Sequence, residues 1–387
     1  MRRLAIITTH PIQYNAPLFK LLHERNNIEI KVFYTWHQSQ NIIYDPDFNN
    51  TRRWDIPLLE GYNYEFVLNT SSNPGSHHYF GIKSDEIIKL INCWEPDALL
   101  VYGWAFSAHL KILRHFKNKL PIYFRGDSTL LDETKGFSIK KLIRRFFLLW
   151  VYKHIDVALY VGFHNKEYFK KHGMHEDKLL YGPHVVDNSR FYYSSELNDK
   201  ALEWRKNIGI KVSDIVFLFA GKFHSKKDPI NLIQAFGEIR SENAHLILTG
   251  SGILENEMRK VASKFNNIHF LPFQNQSTMP ILYHLCDVFV LPSKGPGETW
   301  GLAVNEAMAA GKAILVSNKV GCSADLLSQG KNGYIFNAAN SYDIAKKLNL
   351  FVQKKNRIKE MGQESSRIIA KSTLAIIAEI IEKQINK

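Results

Sequence analysis

Two carboxylates in the segment GPGETWGLAVNEAMAAG, residues 295–311, have the type and spacing of ligand-binding groups. From about Gly301 the segment has helical spacing and is almost entirely apolar or small, which predicts a buried helix. Glu306 lies on that helix, and a buried carboxylate needs a partner. Because no Lys, Arg or His lies one turn away, we expect Glu306 to accept hydrogen bonds from a ligand, such as the vicinal hydroxyls of a ribose. Its alternative position, facing solvent, fits its apolar neighbours less well. Glu298, in the preceding loop, is expected to reach sugar hydroxyls, or else to complement the charge of the helix start.

Glycines flank Glu298 directly after an apolar strand pattern. Gly297 and Gly301 tolerate positive φ and let the backbone approach a ligand closely, and free amides at a helix start attract anions. The backbone amides of Thr299, Trp300 and Gly301 are therefore candidates to bind a phosphate. An ordinary turn between strand and helix is the alternative.

A second candidate cluster is FAGKFHSKKDP, residues 219–229. Asp228 followed by Pro229 predicts a helix start, with the aspartate as N-cap. Lysines between the carboxyl end of a strand and a helix suit a diphosphate, and Lys222 and Lys227 are the candidates. A solvated basic loop is the alternative.

In this order, these motifs resemble the family-four retaining glycosyltransferases, also called group 1 glycosyl transferases, which have the GT-B fold. The resemblance covers nearly the whole chain and is strongest over residues 219–336. The family's pair of glutamates falls on Glu298 and Glu306. Its glycine-arginine-lysine element is similar to the segment from Gly221 to Lys227, with Lys222 in place of the usual arginine.

Two further segments are similar to this family. The loop near Phe273 and Gln274 is similar to the loop that contacts the base. The segment GPHVVDNSRF, with Asp187 and Phe191, resembles the end of the family's first domain.

The resemblance implies a role for each of these residues. Glu306 would bind the ribose, Glu298 the hydroxyls of the transferred sugar, and Lys222 and Lys227 the diphosphate. The two lysines would stabilise the charge on the departing nucleoside diphosphate. Members of the family retain the anomeric configuration by front-face attack and need no metal or other cofactor. The implied donor-binding set is Gly221, Phe273, Gln274, Gly297, Thr299, Trp300, Gly301 and Glu306.

The first half of the chain departs from the family pattern. A glycine pair is usual after the first strand, but here the segment is THPIQYNAPL, and a later His-Asp pair is replaced by YFRGDS. His10, Arg125 and Asp127 are therefore candidates for the acceptor and sugar side, and they complete a catalytic set with Glu298 and the two lysines. His10 is alternatively a turn histidine, and Arg125 is alternatively paired with Asp127 as a structural bridge.

Apolar β-branched runs alternate with helical patterns along the whole chain, which predicts an α/β protein with parallel sheets. Two such series, separated by the polar stretch YYSSELNDK read as a linker, predict two Rossmann-like domains that face each other across a cleft. The resemblance implies that this arrangement is of GT-B type. We expect an acceptor-side domain over 1–192 and a nucleotide-sugar-binding domain over 193–368. A last helix in 369–387 is expected to pack back on the first domain.

The composition limits the compartment and the partners. The chain has 387 residues and a net charge of +13, which favours anionic partners. Its three cysteines match no metal or redox spacing. Because the apolar run after Met1 is too short for a signal peptide and no run is long enough to span a bilayer, a cytoplasmic protein is predicted. The D-x-D spacing from Asp45 to Asp47, which holds a metal in other glycosyltransferases, is interpreted as a turn.

The segment SIKKLIRRFFLLWVYKH, residues 138–154, combines an apolar face with basic residues and contains no acidic residue. Such a helix either lies on an anionic bilayer or packs its apolar side into the core of the first domain. The apolar face is predicted to consist of Ile139, Leu142, Ile143, Phe146 and Trp150.

With the family resemblance, these observations predict a glycosyltransferase, and the resemblance implies that it is retaining and metal-independent. It would move a hexose-type sugar from a nucleotide diphosphate sugar to a glycan or lipid-linked acceptor, as in surface polysaccharide synthesis, at the inner face of the membrane. One alternative is a nucleotide-sugar epimerase of the same architecture. The other is a non-enzymatic basic module that binds membrane or nucleic acid, although no nucleic-acid motif is visible.

Overall fold

The computed structural model describes residues 1–40, 43–45, 50–52, 54–134, 136 and 138–387. The chain forms two compact units. The first comprises Met1–Ile43, Pro57–His184 and Leu374–Lys387, and the second comprises Tyr44–Ile56 and Val185–Thr373. The domain boundary predicted at residue 192 therefore lies inside the second unit, and residues 369–373 also belong to that unit rather than to the first.

Fifteen strands are described. They are β1 (Arg3–Thr8), β2 (Glu29–Tyr34), β3 (Ile43–Asp45), β4 (Asn50–Arg52), β5 (Tyr64–Phe66), β6 (Ala98–Tyr102), β7 (Ile122–Arg125), β8 (Val157–Tyr160), β9 (Leu179–Tyr181), β10 (Ile215–Ala220), β11 (Ala244–Thr249), β12 (Ile268–Leu271), β13 (Val288–Leu291), β14 (Ala313–Ser317) and β15 (Gly333–Phe336).

Fourteen α-helices are described. They are α1 (Ala16–Arg25), α2 (Ile87–Trp94), α3 (Ser107–Phe116), α4 (Ile139–Tyr152), α5 (Phe163–Lys171), α6 (Ser195–Asn207), α7 (Pro229–Gly237), α8 (Glu255–Ala262), α9 (Met279–Leu285), α10 (Leu302–Ala309), α11 (Ser323–Leu326), α12 (Ser341–Gln353), α13 (Ile358–Ile369) and α14 (Leu374–Ile385). Short 3-10 helices span His37–Gln40, Tyr79–Gly81, Glu176–Lys178, Asn188–Arg190, Ser225–Lys227 and Lys355–Arg357.

Each unit is built on a parallel sheet. The sheet of the first unit has the order β5-β2-β1-β6-β7-β8-β9, and that of the second has the order β12-β11-β10-β13-β14-β15. The central strands are buried along their whole length, as in β10, which explains why they are continuous apolar runs in the sequence. The predicted fold class, two parallel-sheet α/β domains, is confirmed.

The strand order brings the candidate residues together at the carboxyl ends of the strands in each sheet. In the second unit the strand order reverses at β10, which pairs with β11 on one side and β13 on the other. Ligands of open α/β sheets bind beyond the carboxyl ends of the strands at such a switch point. The loops after β10 and β13, which contain both predicted motifs, therefore begin side by side.

Most of the polar stretch interpreted as a linker, residues 192–200, is helical instead. Residues 195–200 form the first half of α6, and the Ser194 hydroxyl accepts a hydrogen bond from the Leu197 amide as N-cap. Glu196 and Lys200 form an ion pair one turn apart. The stretch is polar because it is the exposed start of a helix, and its serine is a helix-start signal.

The last helix, α14, packs on α1 in the first unit. The guanidinium of Arg25 donates to both carboxylate oxygens of Glu382, at 2.7 and 2.9 Å. The apolar face of α14, with Ile377, Ile381 and Ile385, is buried.

Within the residues that the structure describes, no helix has the length and apolar character needed to cross a membrane. Asp45 ends β3, but Pro46 and Asp47 lie outside the described residues. The turn predicted for the D-x-D spacing therefore stays a prediction.

Candidate active site

The loops after β10 and β13 are joined by backbone and side-chain bonds. The amide of Lys294 donates to the carbonyl of Lys226 at 2.9 Å. The ammonium of Lys227 bonds Oε2 of Glu298, and the hydroxyl of Ser293 donates to the same oxygen at 2.7 Å. The structure thus brings together two residues, Lys227 and Glu298, that lie far apart in the sequence, and it adds Ser293.

The Lys227–Glu298 pair is largely shielded from water. The side chain of Lys227 is 19% exposed and that of Glu298 is 10% exposed. An ion pair in such a place interacts more strongly than one at the surface, because water screens it less.

Asp228 has a different role from the one predicted. The helix α7 begins at Pro229, as expected, but the carboxylate of Asp228 makes no capping bond to the helix. It accepts instead from the ammonium of Lys294 at 2.8 Å and from Nδ2 of Asn231 at 3.0 Å. The backbone of Asp228 has φ +52°, outside the extended conformation of an ordinary N-cap. A cavity of about 350 Å³ lies beside this pair.

The start of the β10 loop is held against the loop after β11. The amide of Gly221 donates to the carbonyl of Thr249 at 3.0 Å. A Cβ on Gly250 would lie 1.9 Å from the Gly221 carbonyl oxygen, so only glycine fits at position 250. Lys222, the other candidate lysine, follows Gly221 and is half-buried.

The glycine turn before α10 is clamped by the segment after β14. Gly297 and Gly301 have φ of +90° and +96°, a conformation that favours glycine. A Cβ on Gly321 would lie 1.7 Å from the carbonyl oxygen of Thr299, and the amide of Cys322 donates to the carbonyl of Trp300 at 2.9 Å. The backbone proposed to bind phosphate is therefore held in one conformation.

The side chain of Trp300 belongs to the core. It is 4% exposed, and its Nε1 donates to Oδ1 of Asn305 at 2.9 Å. The indole therefore anchors the turn to the first part of α10.

Glu306 has a protein partner that the sequence did not reveal. The helix α10 spans Leu302–Ala309, as expected, and Glu306 is 3% exposed on it. The hydroxyl of Tyr283, on α9, donates to Oε2 of Glu306 at 2.6 Å. Phe191 packs edge-on against Tyr283, with ring centroids 5.6 Å apart. This donor is uncharged and on another helix, so the spacing of residues along α10 does not reveal it.

The predicted base loop lies farther along the same edge of the sheet. Phe273 and Gln274 follow β12 and are half-buried. Nε2 of Gln274 and the hydroxyl of Thr249 both donate to the carbonyl of Pro272, at 3.1 and 3.0 Å. Because β11 lies between β12 and β10, this loop starts roughly 10 Å from the lysine loop.

His10 follows β1 at the carboxyl edge of the first sheet. Its Nδ1 lies 2.8 Å from the hydroxyl of Thr9, and its ring packs edge-on against Trp36 at 5.4 Å. Burial lowers the pKa of His10 below its usual value of 6.5, because it disfavours the charged ring. The imidazole is therefore neutral near pH 7.

Arg125 is buried and anchors a loop. It is 6% exposed, and its two terminal nitrogens donate to the carbonyls of Gly182 and Pro183, both at 2.9 Å. Burial lowers the pKa of Arg125, and the negative charge of Asp127 opposes this effect. From the sequence, Arg125 is expected to bind the acceptor or sugar side, or to pair with Asp127, and these hydrogen bonds to backbone carbonyls are not predicted. Asp127 itself is exposed.

Two histidines near these residues were not predicted as site residues. Burial and the charge of Arg125 lower the pKa of His184, while the charge of Asp127 opposes the shift. His109 is fully buried, its Nδ1 lies 3.0 Å from each of two carbonyl oxygens, and burial lowers its pKa to about 4. His184 lies in the segment GPHVVDNSRF, for which the sequence predicts the end of the first domain but no role of the histidine.

Most of the second unit matches a known protein family. Residues 200–367 match the family described as glycosyl transferases group 1, and they contain both loops and α10. Over these residues the chain is similar to the group 1 glycosyl transferases. The resemblance predicted from the sequence is confirmed over residues 200–367.

Curated relatives and a solved structure give further similarities. The chain is 27% identical over 243 residues to an N,N'-diacetylbacillosaminyl-diphospho-undecaprenol alpha-1,3-N-acetylgalactosaminyltransferase of Campylobacter jejuni, covering 60% of this chain and 62% of that protein. It is 28% identical to a lipopolysaccharide 1,2-N-acetylglucosaminetransferase of Salmonella typhimurium, covering 46% and 50%. The Anabaena protein HepE, solved in complex with UDP and glucose, superposes with a TM-score of 0.72 at 16% identity, covering 100% of both chains.

These similarities differ in what they show. The chain spans about half the length of the curated relatives that it matches. The likeness to HepE extends over both units and shows the GT-B fold. The family match covers the second unit, where the Lys227–Glu298 pair and Glu306 lie.

Proposed function

We propose that the protein transfers a sugar from a nucleotide diphosphate sugar to a glycan or lipid-linked acceptor, retaining the anomeric configuration and using no metal ion. The Lys227–Glu298 pair carries the proposal. It lies at the switch point of the sheet, within the group 1 glycosyl transferase domain. There Lys227, a cation that can bind a diphosphate, lies beside Glu298, a carboxylate that can accept hydrogen bonds from sugar hydroxyls.

The donor would lie along the carboxyl edge of the second sheet. The base would lie near Phe273 and Gln274, roughly 10 Å from the lysine loop. The ribose would bond Glu306, and the diphosphate would lie over the glycine turn near Lys227. The roughly 10 Å between the base loop and the lysine loop suits the extended form of a nucleoside diphosphate.

Lys227 and Glu298 would exchange partners when the donor binds. The ammonium, held by Glu298 in this structure, would turn to the diphosphate, and the carboxylate would accept hydroxyls of the sugar while Ser293 keeps its orientation. The positive charge would then stabilise the departing nucleoside diphosphate in the transition state, which is the usual largest contribution to such catalysis. Lys222 would add a second positive charge and make a metal ion unnecessary.

The acceptor would bind the first unit. His10 is neutral near pH 7, so it can accept a hydrogen bond from an acceptor hydroxyl. Asp127 is exposed and negatively charged, and it can bind further hydroxyls. Arg125 would position this loop rather than touch phosphate, because its donors bond carbonyls. A lipid-linked acceptor, as the name of the Campylobacter relative describes, would place the protein at the cytoplasmic face of a membrane.

A panel of nucleoside diphosphates and their sugars tests the proposal. At a concentration of about 100 times Kd, a ligand raises stability by about 2.7 kcal/mol, which corresponds to roughly 5–10 °C in Tm for a domain of this size. We expect one nucleotide to stabilise the protein and Glu306→Gln to lose most of the effect. Glu242→Gln, a change at an exposed glutamate, is the matched control.

Product analysis separates the proposal from its alternatives. We expect release of free nucleoside diphosphate that depends on an acceptor, at a rate unchanged by EDTA, with an α-linked product from an α-linked donor. A changed sugar still attached to its nucleotide would indicate an epimerase. If no nucleotide stabilises the protein and none is hydrolysed or transferred, the proposed function is wrong.

A further inference from the structure

The helix α4 presents large apolar side chains to solvent. Five of them are exposed within its first nine residues, over two and a half turns. They are Ile139 (68%), Leu142 (41%), Ile143 (64%), Phe146 (63%) and Phe147 (39%). An apolar patch of this kind on a charged protein marks an interaction surface.

This apolar stripe is not the face that packs into the core. The buried side chains of α4 are Leu148, Val151 and Tyr152. At 3.6 residues per turn they lie on the opposite side of the helix from Ile143 and Phe146. Packing of the predicted apolar face into the core is therefore wrong for Ile139, Leu142, Ile143 and Phe146, which are exposed. Trp150, the fifth residue predicted for that face, is half-buried and packs against the core.

Basic side chains flank the stripe on both sides. Lys140 and Arg145 are exposed, and at the helical pitch they lie on its two borders. Arg144 is partly engaged, because it donates to the hydroxyl of Tyr168 at 3.2 Å. The neighbouring helix α3 adds Arg114, whose guanidinium lies 5.5 Å from the ring of Trp150.

We propose that this face of α4 docks on the surface of an anionic lipid bilayer. The exposed apolar stripe would enter the boundary between headgroups and acyl chains, and the flanking basic residues would bind phosphate headgroups. The helix has 14 residues and does not span a membrane, so it would lie in the plane of the interface.

Charge favours lipid over the other occupants of such a face. A second copy would bring the same positive charges against each other, and α4 contains no acidic residue to pair with them. Nucleic acid would satisfy the basic residues but would leave the apolar stripe in water.

The position of the surface would suit a lipid-linked acceptor. The ring centroid of Phe147 on α4 lies 5.4 Å from that of Trp104, which follows β6, so this part of α4 lies near the carboxyl ends of the strands of the first sheet. The helix α5 begins close after β8, and its first residue, Phe163, is 55% exposed. His10 and Asp127 follow strands at this same edge. Only this last step rests on the proposed function, since the docking surface itself is independent of the sugar transferred.

Flotation of the full chain with vesicles tests the proposal. We expect binding to vesicles of phosphatidylglycerol and phosphatidylcholine in equal parts, little binding to phosphatidylcholine alone, and weaker binding at high salt. A basic residue at an anionic surface contributes roughly a fivefold change in affinity. Lys140→Glu/Arg145→Glu should thus weaken binding by at least about 25-fold, and Ile143→Ser/Phe146→Ser should abolish it.

The matched control variants have the same kinds of substitution, a double charge reversal and a change of an apolar side chain to serine, at exposed residues of the second unit. Lys354→Glu/Lys359→Glu and Tyr342→Ser alter exposed side chains there and should leave vesicle binding unchanged. All variants should keep the wild-type Tm, because the changed groups are exposed. The α4 variants should also keep nucleotide-dependent stabilisation, which separates failure of docking from failure of the proposed function.

Two results would overturn the proposal. One is wild-type protein that does not float with anionic vesicles, or α4 variants that float as well as wild type. The other is a stable dimer in sedimentation that the α4 variants dissociate, which would assign the surface to a second copy of this chain.

Discussion

The contact between Lys227 and Glu298 predicts that Lys227→Met will lower both the stability and the activity of the protein. The substitution keeps the length of the side chain but removes the charge. Glu298, whose side chain is 10% exposed, would keep the hydrogen bond from the Ser293 hydroxyl but would lose its ion pair with Lys227.

The magnitude follows from the burial of the pair. Removing one partner of a fully buried ion pair costs about 3–5 kcal/mol, while an exposed pair contributes about 0–1 kcal/mol. The 19% and 10% exposures place this pair between the two limits, so we expect a loss of about 2 kcal/mol in the free energy of unfolding. For a domain of this size that corresponds to roughly 4–8 °C in Tm.

The catalytic effect should be larger than the structural one. If Lys227 stabilises the charge on the leaving nucleoside diphosphate, its loss should lower kcat by about 100- to 1,000-fold. Release of nucleoside diphosphate, measured below the Tm of the variant, reports this effect separately from unfolding. Lys359→Met changes an exposed lysine and should alter neither quantity.

A double-mutant cycle with Glu298→Gln isolates the pair. The neutral amide that Glu298→Gln introduces needs no cation as partner. The loss in the free energy of unfolding of Lys227→Met/Glu298→Gln should therefore be about 1–2 kcal/mol smaller than the sum of the losses of the two single variants. A Tm equal to that of wild type in Lys227→Met would refute the contact. An unchanged kcat would refute the role of Lys227 in catalysis.

Three further predictions concern other buried groups. Arg125→Lys should lower the Tm, because a single ammonium replaces a fork that bonds two carbonyls, and an unchanged Tm would contradict that anchoring role. Tyr283→Phe should cost about 1.5–3 kcal/mol by removing a hydrogen bond to a buried carboxylate, and should weaken nucleotide binding as Glu306 loses its orientation; calorimetry and thermal unfolding measure the two effects. His109, with a pKa of about 4 against 6.5 when unfolded, should make stability constant above pH 6.5 and decreasing as the pH falls towards 4, since only the unfolded chain takes up the proton in that range. His109→Gln should flatten that part of the profile of Tm against pH, and a steep slope that survives the change would assign it to other groups.

Long periodic segments of this chain could be predicted well. The central strands and the helices α7 and α10 lie where apolar runs, Pro229 and the glycines indicate them, because a parallel sheet buried on both faces requires continuous apolar strands. The edge strands β5 and β9 have three residues each and carry no such pattern. They exist because they bond to β2 and β8, which is a property of the neighbouring strand rather than of their own sequence.

The candidate site was predicted in part. Spacing within the chain placed Lys227 in one loop and Glu298 in another, but their contact depends on β10 lying beside β13. The same holds for the pairing of Asp228 with Lys294, where a bond between loops replaced the local capping that the sequence favoured. Local sequence patterns predict hydrogen bonds within one turn of the chain, and hydrogen bonds or ion pairs between loops of neighbouring strands can replace them.

The amino-acid sequence by itself determined the class of the protein: two α/β units, a glycine turn before a buried helix, and a glutamate that had to be bonded to something. Only the tertiary structure decided which partners these groups have, that Tyr283 holds Glu306 and that the apolar stripe of α4 faces water. Hydrophobic periodicity reports which residues leave water, whereas hydrogen bonds and ion pairs depend on distances between segments that the order of residues does not contain.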